Sequence, residues 1–180
     1  MSINSGRVIW LTGMSGAGKS TLSIEVVKRI RSLDKCVVFL DGDELREILN
    51  SAEVNAKNHG RDVRLKLAFQ YAKLCWMIAN QGINVVIATI SLFKEVHNWN
   101  RINLLGYFEV YLKVPLEELR RRDPKSIYSR FDAGEISNVS GLDLPIDEPE
   151  AADWVIDYDP NITVESLADN LLDRLNIGHK

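Results

Sequence analysis

The chain has 180 residues, 46% of them hydrophobic and 26% charged, with a formal net charge of −3. That length suffices for one domain, residues 1–180, with a core on both faces of a sheet. The mildly acidic balance gives no electrostatic reason to expect nucleic acid or an anionic membrane as a partner. No run of 18 apolar residues and no basic-plus-apolar leader is visible, so neither membrane insertion nor export is indicated. Cys36 beside an apolar strand and Cys75 within an apolar helix read as two buried free thiols, which predicts a reducing, cytoplasmic setting.

In chain order, strands are predicted at residues 8–12, 36–40, 85–88, 108–112 and 154–156, all continuous apolar runs of the kind covered on both faces. Helices are predicted at 20–32, 44–49, 62–80, 94–104, 116–121 and 164–175. The alternation implies an α/β fold with a five-stranded, mostly parallel sheet and right-handed crossovers, a three-layer sandwich. Residues 120–150 break the pattern. Charged, and containing Pro124, Gly134, Gly141, Pro145 and Pro149, they read as a long excursion over the sheet edge, for which a lid is the natural role.

Between the first strand and first helix lies Gly13-Met-Ser-Gly-Ala-Gly-Lys-Ser20, the G-x-x-x-x-G-K-[ST] pattern of a phosphate-binding loop. Its glycines let successive N–H groups of Gly13, Ser15, Gly16, Ala17 and Gly18 turn inward, and the helix N-terminus at Lys19, Ser20 and Thr21 adds its dipole. Lys19 is placed to reach the terminal phosphates of ATP and the Ser20 hydroxyl a magnesium ion. The second strand ends in Asp41-Gly42-Asp43, followed by Arg46. Phosphoryl transfer needs positioning and charge neutralisation, so one carboxylate is expected to orient magnesium (Asp41) and one to face an acceptor hydroxyl (Asp43), with the reverse division also open. A blander role for Asp43 is to cap the helix that follows.

At this point the chain resembles the adenylyl-sulfate (APS) kinases, which phosphorylate the 3′-hydroxyl of the adenylyl ribose using ATP. The resemblance runs from about residue 7 to 149. Its residues are the loop through Thr21, Asp41-Gly-Asp-Glu-Leu-Arg46, Ile90-Ser91, Phe108-Glu-Val110, Pro115-Leu-Glu117, Arg122-Asp-Pro-Lys125 with Ile127-Tyr128, Ala133-Gly-Glu-Ile136 and Gly141-Leu-Asp143. It implies ATP and Mg2+, a small-molecule nucleotide acceptor, Arg122 on the donor nucleotide, and Asp43, Arg46, Arg61, Arg64, Ser91, Leu92, Lys125 and Val139 around the acceptor. Members of the family often form homodimers.

The departures fall where the family holds its acceptor. After Arg46 the family carries Asp-Leu-Gly-Phe-Ser, whose phenylalanine stacks on adenine; here the stretch is Asn50-Ser-Ala-Glu-Val-Asn-Ala-Lys57, without an aromatic. A second stacking phenylalanine corresponds to Val139. Each lost ring face removes about 1–3 kcal/mol of base stacking. The family's Arg-Glu-Glu-Asn is Arg61-Asp62-Val63-Arg64, and its Ile-Ser-Pro-Tyr is Ile90-Ser-Leu-Phe93. This pattern looks like a branch tied to capsule and phosphoramidate pathways, in which the acceptor is a cytidine diphosphate carrying an amidate; adenylyl sulfate is the alternative.

Other residues have plainer readings. Arg120 and Arg121 read as a solvated helix face, and His59 and His97 as surface residues without ligand spacing. Trp76 and Met77 read as core. Trp99 reads either as a base platform or as packing beneath the lid. A GTPase would share the loop, but no Asn-Lys-x-Asp stretch follows; a non-catalytic nucleotide-binding regulatory domain need not keep Asp41, Asp43, Arg46 and Lys125 together.

Overall fold

The computed structural model describes residues 5–49 and 60–177. The first strand β1 (Val8–Gly13) leads into α1 (Lys19–Ser32), β2 (Val37–Asp41) into α2 (Gly42–Ile48) and α3 (Arg61–Ala79), and β3 (Asn84–Ala88) into α4 (Lys94–Asn103). Then follow β4 (Tyr107–Lys113), α5 (Leu116–Arg122), α6 (Ile127–Asp132), β5 (Trp154–Asp157) and α7 (Val164–Arg174). The five strands form one sheet in the order β2-β3-β1-β4-β5, and every pairing is parallel. The α/β architecture expected from the alternation is therefore the one observed, with each predicted element within two residues of its place.

The unbroken apolar runs of the central strands follow from two covered faces, whereas β5, at the edge of the sheet, buries Ile156 and leaves Val155 exposed, so the expectation of two covered faces does not hold there. Because side chains alternate across a sheet, Ile9 and Leu11 of β1 enter a core with α1 and α7, while Val8 and Trp10 enter a second core with α3 and α4. All four are fully buried, and each such side chain contributes about 1.5–3 kcal/mol of transfer free energy. On one side Leu22, Val26 and Ile30 of α1 meet Ala168, Leu171 and Leu172 of α7. Arg29 of α1 closes the top of that contact through Asp169 at 2.7 Å.

The apolar stripe of α3 is Ala68, Tyr71, Ala72, Cys75 and Ala79, a spacing that keeps one face on the sheet. Trp76 and Met77 fall off that stripe and are 45% and 51% exposed, so the expectation of core positions does not hold for them. Cys75 is buried as expected, whereas Cys36 precedes β2 and is exposed. His97, expected at the surface, is buried under α4 beside Glu109. Trp99 meets Phe69 of α3 edge-on at 6.4 Å, which makes it a packing residue. His59 and the stretch 50–57 lie outside the described residues.

The excursion at residues 120–150 contains its own helix, α6, and is tied internally. Asp123 accepts from the backbone N–H groups of Tyr128 and Ser129, and Asp143 from those of Asn138 and Val139, the last two at 2.6 Å each.

At the junction of β2 and α2, Gly42 lies against the end of β3. A Cβ there would stand 2.9 Å from the Ala88 carbonyl oxygen and 3.1 Å from Thr89 Oγ1. Gly42→Ala is therefore expected to lower stability by about 1–3 kcal/mol, the usual cost of overpacking, read from the midpoint of urea unfolding.

Candidate active site

The carboxyl ends of β1, β2 and β3 open into one cavity of about 780 Å3. This is the crevice that strand order creates where the connections from neighbouring strands run in opposite directions. Ser15, Gly16, Gly18, Lys19, Ser20 and Thr21 line one end, Asp41, Asp43, Arg46 and Lys125 the middle, and Arg64 and Val139 the other. Gly18 adopts φ +96°, a left-handed conformation that suits glycine, as the N-cap of α1. Gly13 ends β1 behind the loop, and Ala17 packs beneath it.

Lys19 Nζ donates to the Met14 carbonyl at 2.8 Å. Burial lowers its pKa to about 8, against the pull of Asp43 and Asp41. Ser20 Oγ donates to Asp41 Oδ2 at 2.6 Å, while Asp41 Oδ1 accepts the backbone N–H of Asp43 at 2.8 Å. The helix cap anticipated at Asp43 is thus made by Asp41, which joins the phosphate loop to α2. This frees the Asp43 side chain to face the cavity, where it accepts from Lys125 and, at 3.2 Å, from Arg46. Burial opposes its ionisation, but Lys125, Arg46 and Lys19 outweigh burial and hold the carboxyl below its ordinary range.

Arg64 donates to the Asn138 carbonyl at 2.6 Å and to Ser140 Oγ at 3.1 Å, bridging α3 and the segment after α6. Arg61 stands apart from the large cavity. It is paired with Glu95 and Asp147 and lies over the Phe93 ring, where it lines a side compartment of about 40 Å3 with Arg46, Arg64, Ser91 and Leu92. Arg122 donates to the Gly16 carbonyl at 3.2 Å and lies 4.8 Å above the Tyr158 ring. It divides the large cavity from a further one of about 260 Å3 formed by Ala17, Thr21, Leu112, Val114, Ile156 and Tyr158. Arg120 and Arg121 instead pair with Asp132 and Glu118 at the surface.

Sequence reasoning missed Arg130, Asn138 and Ser140, which line the large cavity, and Tyr158, which carries Arg122. Arg130 had a usable signal, since it follows Lys125 within the same charged lid. Tyr158 had one too, standing just past the carboxyl end of a strand, where ligands on a parallel sheet bind.

Among the described residues no three His, Cys, Asp or Glu side chains converge as a metal cluster. A divalent ion at Ser20 and Asp41 would take two protein oxygens and draw its remaining ligands from phosphate and water, a donor set that suits magnesium.

The model of the adenylylsulphate kinase family matches residues 5–157. The chain belongs to the adenylyl-sulfate (APS) kinase family. It is 36% identical over 172 residues to the cytidine diphosphoramidate kinase of Campylobacter jejuni, covering 96% of this chain and 98% of that one. It is 37% identical over 172 residues to the adenylyl-sulfate kinase of Clostridium acetobutylicum, covering 94% and 83%. The structure of the Mycobacterium tuberculosis APS kinase in complex with AMPPNP and APS superposes with a TM-score of 0.82 at 30% identity, covering 96% and 98%. The chain is thus a P-loop phosphotransferase acting on a hydroxyl, and no helix among its described residues is long and apolar enough to cross a membrane.

Removing the strongest cation at Asp43 gives a direct check on the electrostatics. Lys125→Met is expected to raise the Asp43 pKa back toward the ordinary carboxylate range, which carbon-detected NMR titration of the carboxyl reports.

Proposed function

We propose that this kinase transfers the ATP γ-phosphate to the ribose 3′-hydroxyl of a cytidine diphosphate-linked acceptor such as cytidine diphosphoramidate. One observation carries the choice of acceptor: no aromatic side chain lines the large cavity among the described residues. Val139 occupies the lid position where the family places a stacking ring, and it is tucked under the lid with its N–H on Asp143. Residues 50–57 carry no phenylalanine, tyrosine or tryptophan either. A purine platform is therefore missing from the described lining, which favours a smaller base. The similarity to the C. jejuni cytidine diphosphoramidate kinase over nearly the whole of both chains supports the same reading.

In this reading the loop N–H groups and Lys19 hold the β- and γ-phosphates, and Arg122 with Tyr158 flanks the donor base. Ser20 and Asp41 hold magnesium, which when bound neutralises charge on the phosphates. Asp43 accepts a hydrogen bond from the acceptor hydroxyl and orients it in line with the γ-phosphorus. The bond from phosphorus to the β-bridging oxygen breaks as the new oxygen–phosphorus bond forms, and the hydroxyl proton passes to Asp43. A carboxylate of lowered pKa is a weak base, so it takes that proton late, which suits a loose transition state needing little early deprotonation. The segment at residues 120–150 acts as the lid that brings Arg122, Lys125 and Arg130 over the phosphates.

Adenylyl sulfate is the competing acceptor, favoured by the equal similarity to the C. acetobutylicum enzyme. ADP release measured with each acceptor alone separates them. We expect turnover with the cytidine compound and poor turnover with adenylyl sulfate; ordinary efficiency on adenylyl sulfate rejects the proposal. Val139→Phe is expected to raise kcat/KM for adenylyl sulfate relative to the cytidine acceptor by about tenfold, the lower range of one stacked base. Asp43→Asn should lower kcat by about 10²- to 10⁴-fold.

The pH profile follows from the two shifted groups. The Lys19 ammonium is lost as pH rises through about 8, so kcat/KM for ATP, which reports the free enzyme, should fall above that pH. Bound triphosphate favours the ammonium, so the corresponding limb in kcat should lie higher. The Asp43 carboxylate is lost only as pH falls below the ordinary carboxylate range, which places the acid limb there.

A further inference from the structure

The loop at residues 89–93 joins β3 to α4; Thr89 and Ile90 line both the large cavity and its side compartment, and Ser91, Leu92 and Phe93 continue the wall of the side compartment. Ser91 sits in this wall at φ +23°, a left-handed backbone that a serine adopts at a cost. Its hydroxyl is 2.7 Å from Thr89 Oγ1, so the orientation of the Ser91 peptide sets the direction of a hydroxyl pair at the acceptor end. Something must hold that peptide.

The Ser91 carbonyl oxygen lies 3.1 Å from His97 Nε2, and both residues are buried. Glu109 on β4, only 2% exposed, places Oε1 3.8 Å from the same nitrogen. With a carbonyl and a carboxylate both facing Nε2, that nitrogen carries the hydrogen and donates. Glu109 is itself fixed by the Tyr107 hydroxyl at 3.0 Å and by Arg101 at 3.5 Å, and its backbone N–H is held by Asp153 at 2.7 Å. The chain of contacts runs from β4, an interior strand of the sheet, to the acceptor wall.

We propose that His97 is a positioning residue for the acceptor: its Nε2–H, backed by Glu109, helps hold the Ser91 peptide in its left-handed conformation and so sets the Thr89–Ser91 hydroxyl pair in the side compartment that adjoins the acceptor end of the cavity. The inference rests on the assignment of that end to the acceptor, and holds whichever nucleotide binds there. The Ser91 carbonyl also accepts the Phe93 N–H at 3.0 Å, so a ring of similar size without the donor removes the side-chain tie and leaves that local bond, and a side-chain amide of similar reach restores the tie.

Two measurements on His97→Phe and His97→Gln test this. The first uses the enzyme without substrates: amide hydrogen exchange at residues 91–93 is expected to quicken about tenfold in His97→Phe, the scale of one lost hydrogen bond, and to return toward wild type in His97→Gln. The second uses the acceptor that the wild-type enzyme turns over. In His97→Phe its KM should rise about tenfold, with kcat within a factor of about three and KM for ATP unchanged, and His97→Gln should recover most of the loss. Faster exchange with an unchanged acceptor KM would leave the tie in place and reject the acceptor assignment of this wall. Unchanged exchange would overturn the proposal. A parallel loss in KM for ATP, acceptor KM and thermal stability, equal in both variants, would overturn it in favour of simple packing.

Discussion

The Asp41 carboxylate holds two parts of the site with its two oxygens. One accepts the Ser20 hydroxyl at the start of α1, and the other accepts the Asp43 N–H at the start of α2. The phosphate loop grows out of β1, whereas Asp43 and Arg46 grow out of β2, and β3 lies between those strands. The carboxylate therefore spans a strand to fix the acceptor-side residues against the donor-side loop. Gly42 permits the span, because the α2 backbone must come close to the end of β3 for Asp41 to reach Ser20. A transfer reaction depends on this separation being constant, since misplacing one reactant relative to the other costs rate steeply.

Around that junction the charges are arranged to receive anions. Arg46, Arg64, Lys125 and Lys19 face the cavity, and Asp41 and Asp43 are the carboxylates among its described lining. Part of the positive charge is committed already: Arg61 to Glu95 and Asp147, and Arg64 to the oxygens of Asn138 and Ser140. Arg64 in particular connects the sheet-bound α3 to the lid, so the lid's position and the acceptor end of the cavity are mechanically linked. Lys19 pays for its place by a lowered pKa, a state that bound phosphate reverses.

Much of this was legible in the residue order. The phosphate loop, the Asp-Gly-Asp turn and the five apolar strands are local patterns, and each carries its physical reason within a few residues. What was hidden depended on contacts far apart in sequence. His97 looked like a surface residue because its partner, Glu109, is on another element; Trp76 and Met77 looked like core because an apolar helix does not say which face meets the sheet. Cys36 was misread through its apolar neighbours, although the strand begins one residue later. The cap was read at Asp43 because that residue directly precedes the predicted helix; the helix starts two residues earlier, and Asp41, which also reaches Ser20, makes the cap.

One junction sets the transfer chemistry, and the walls of the cavity set the base. The most direct test offers cytidine diphosphoramidate and adenylyl sulfate together at equal concentration with limiting ATP, and identifies the products by phosphorus–proton correlation NMR. A phosphate on the 3′ oxygen of the cytidine ribose is expected, with the adenylyl compound largely unchanged. A predominance of the 3′-phosphorylated adenylyl product, or a phosphate at another position of the cytidine acceptor, would contradict it.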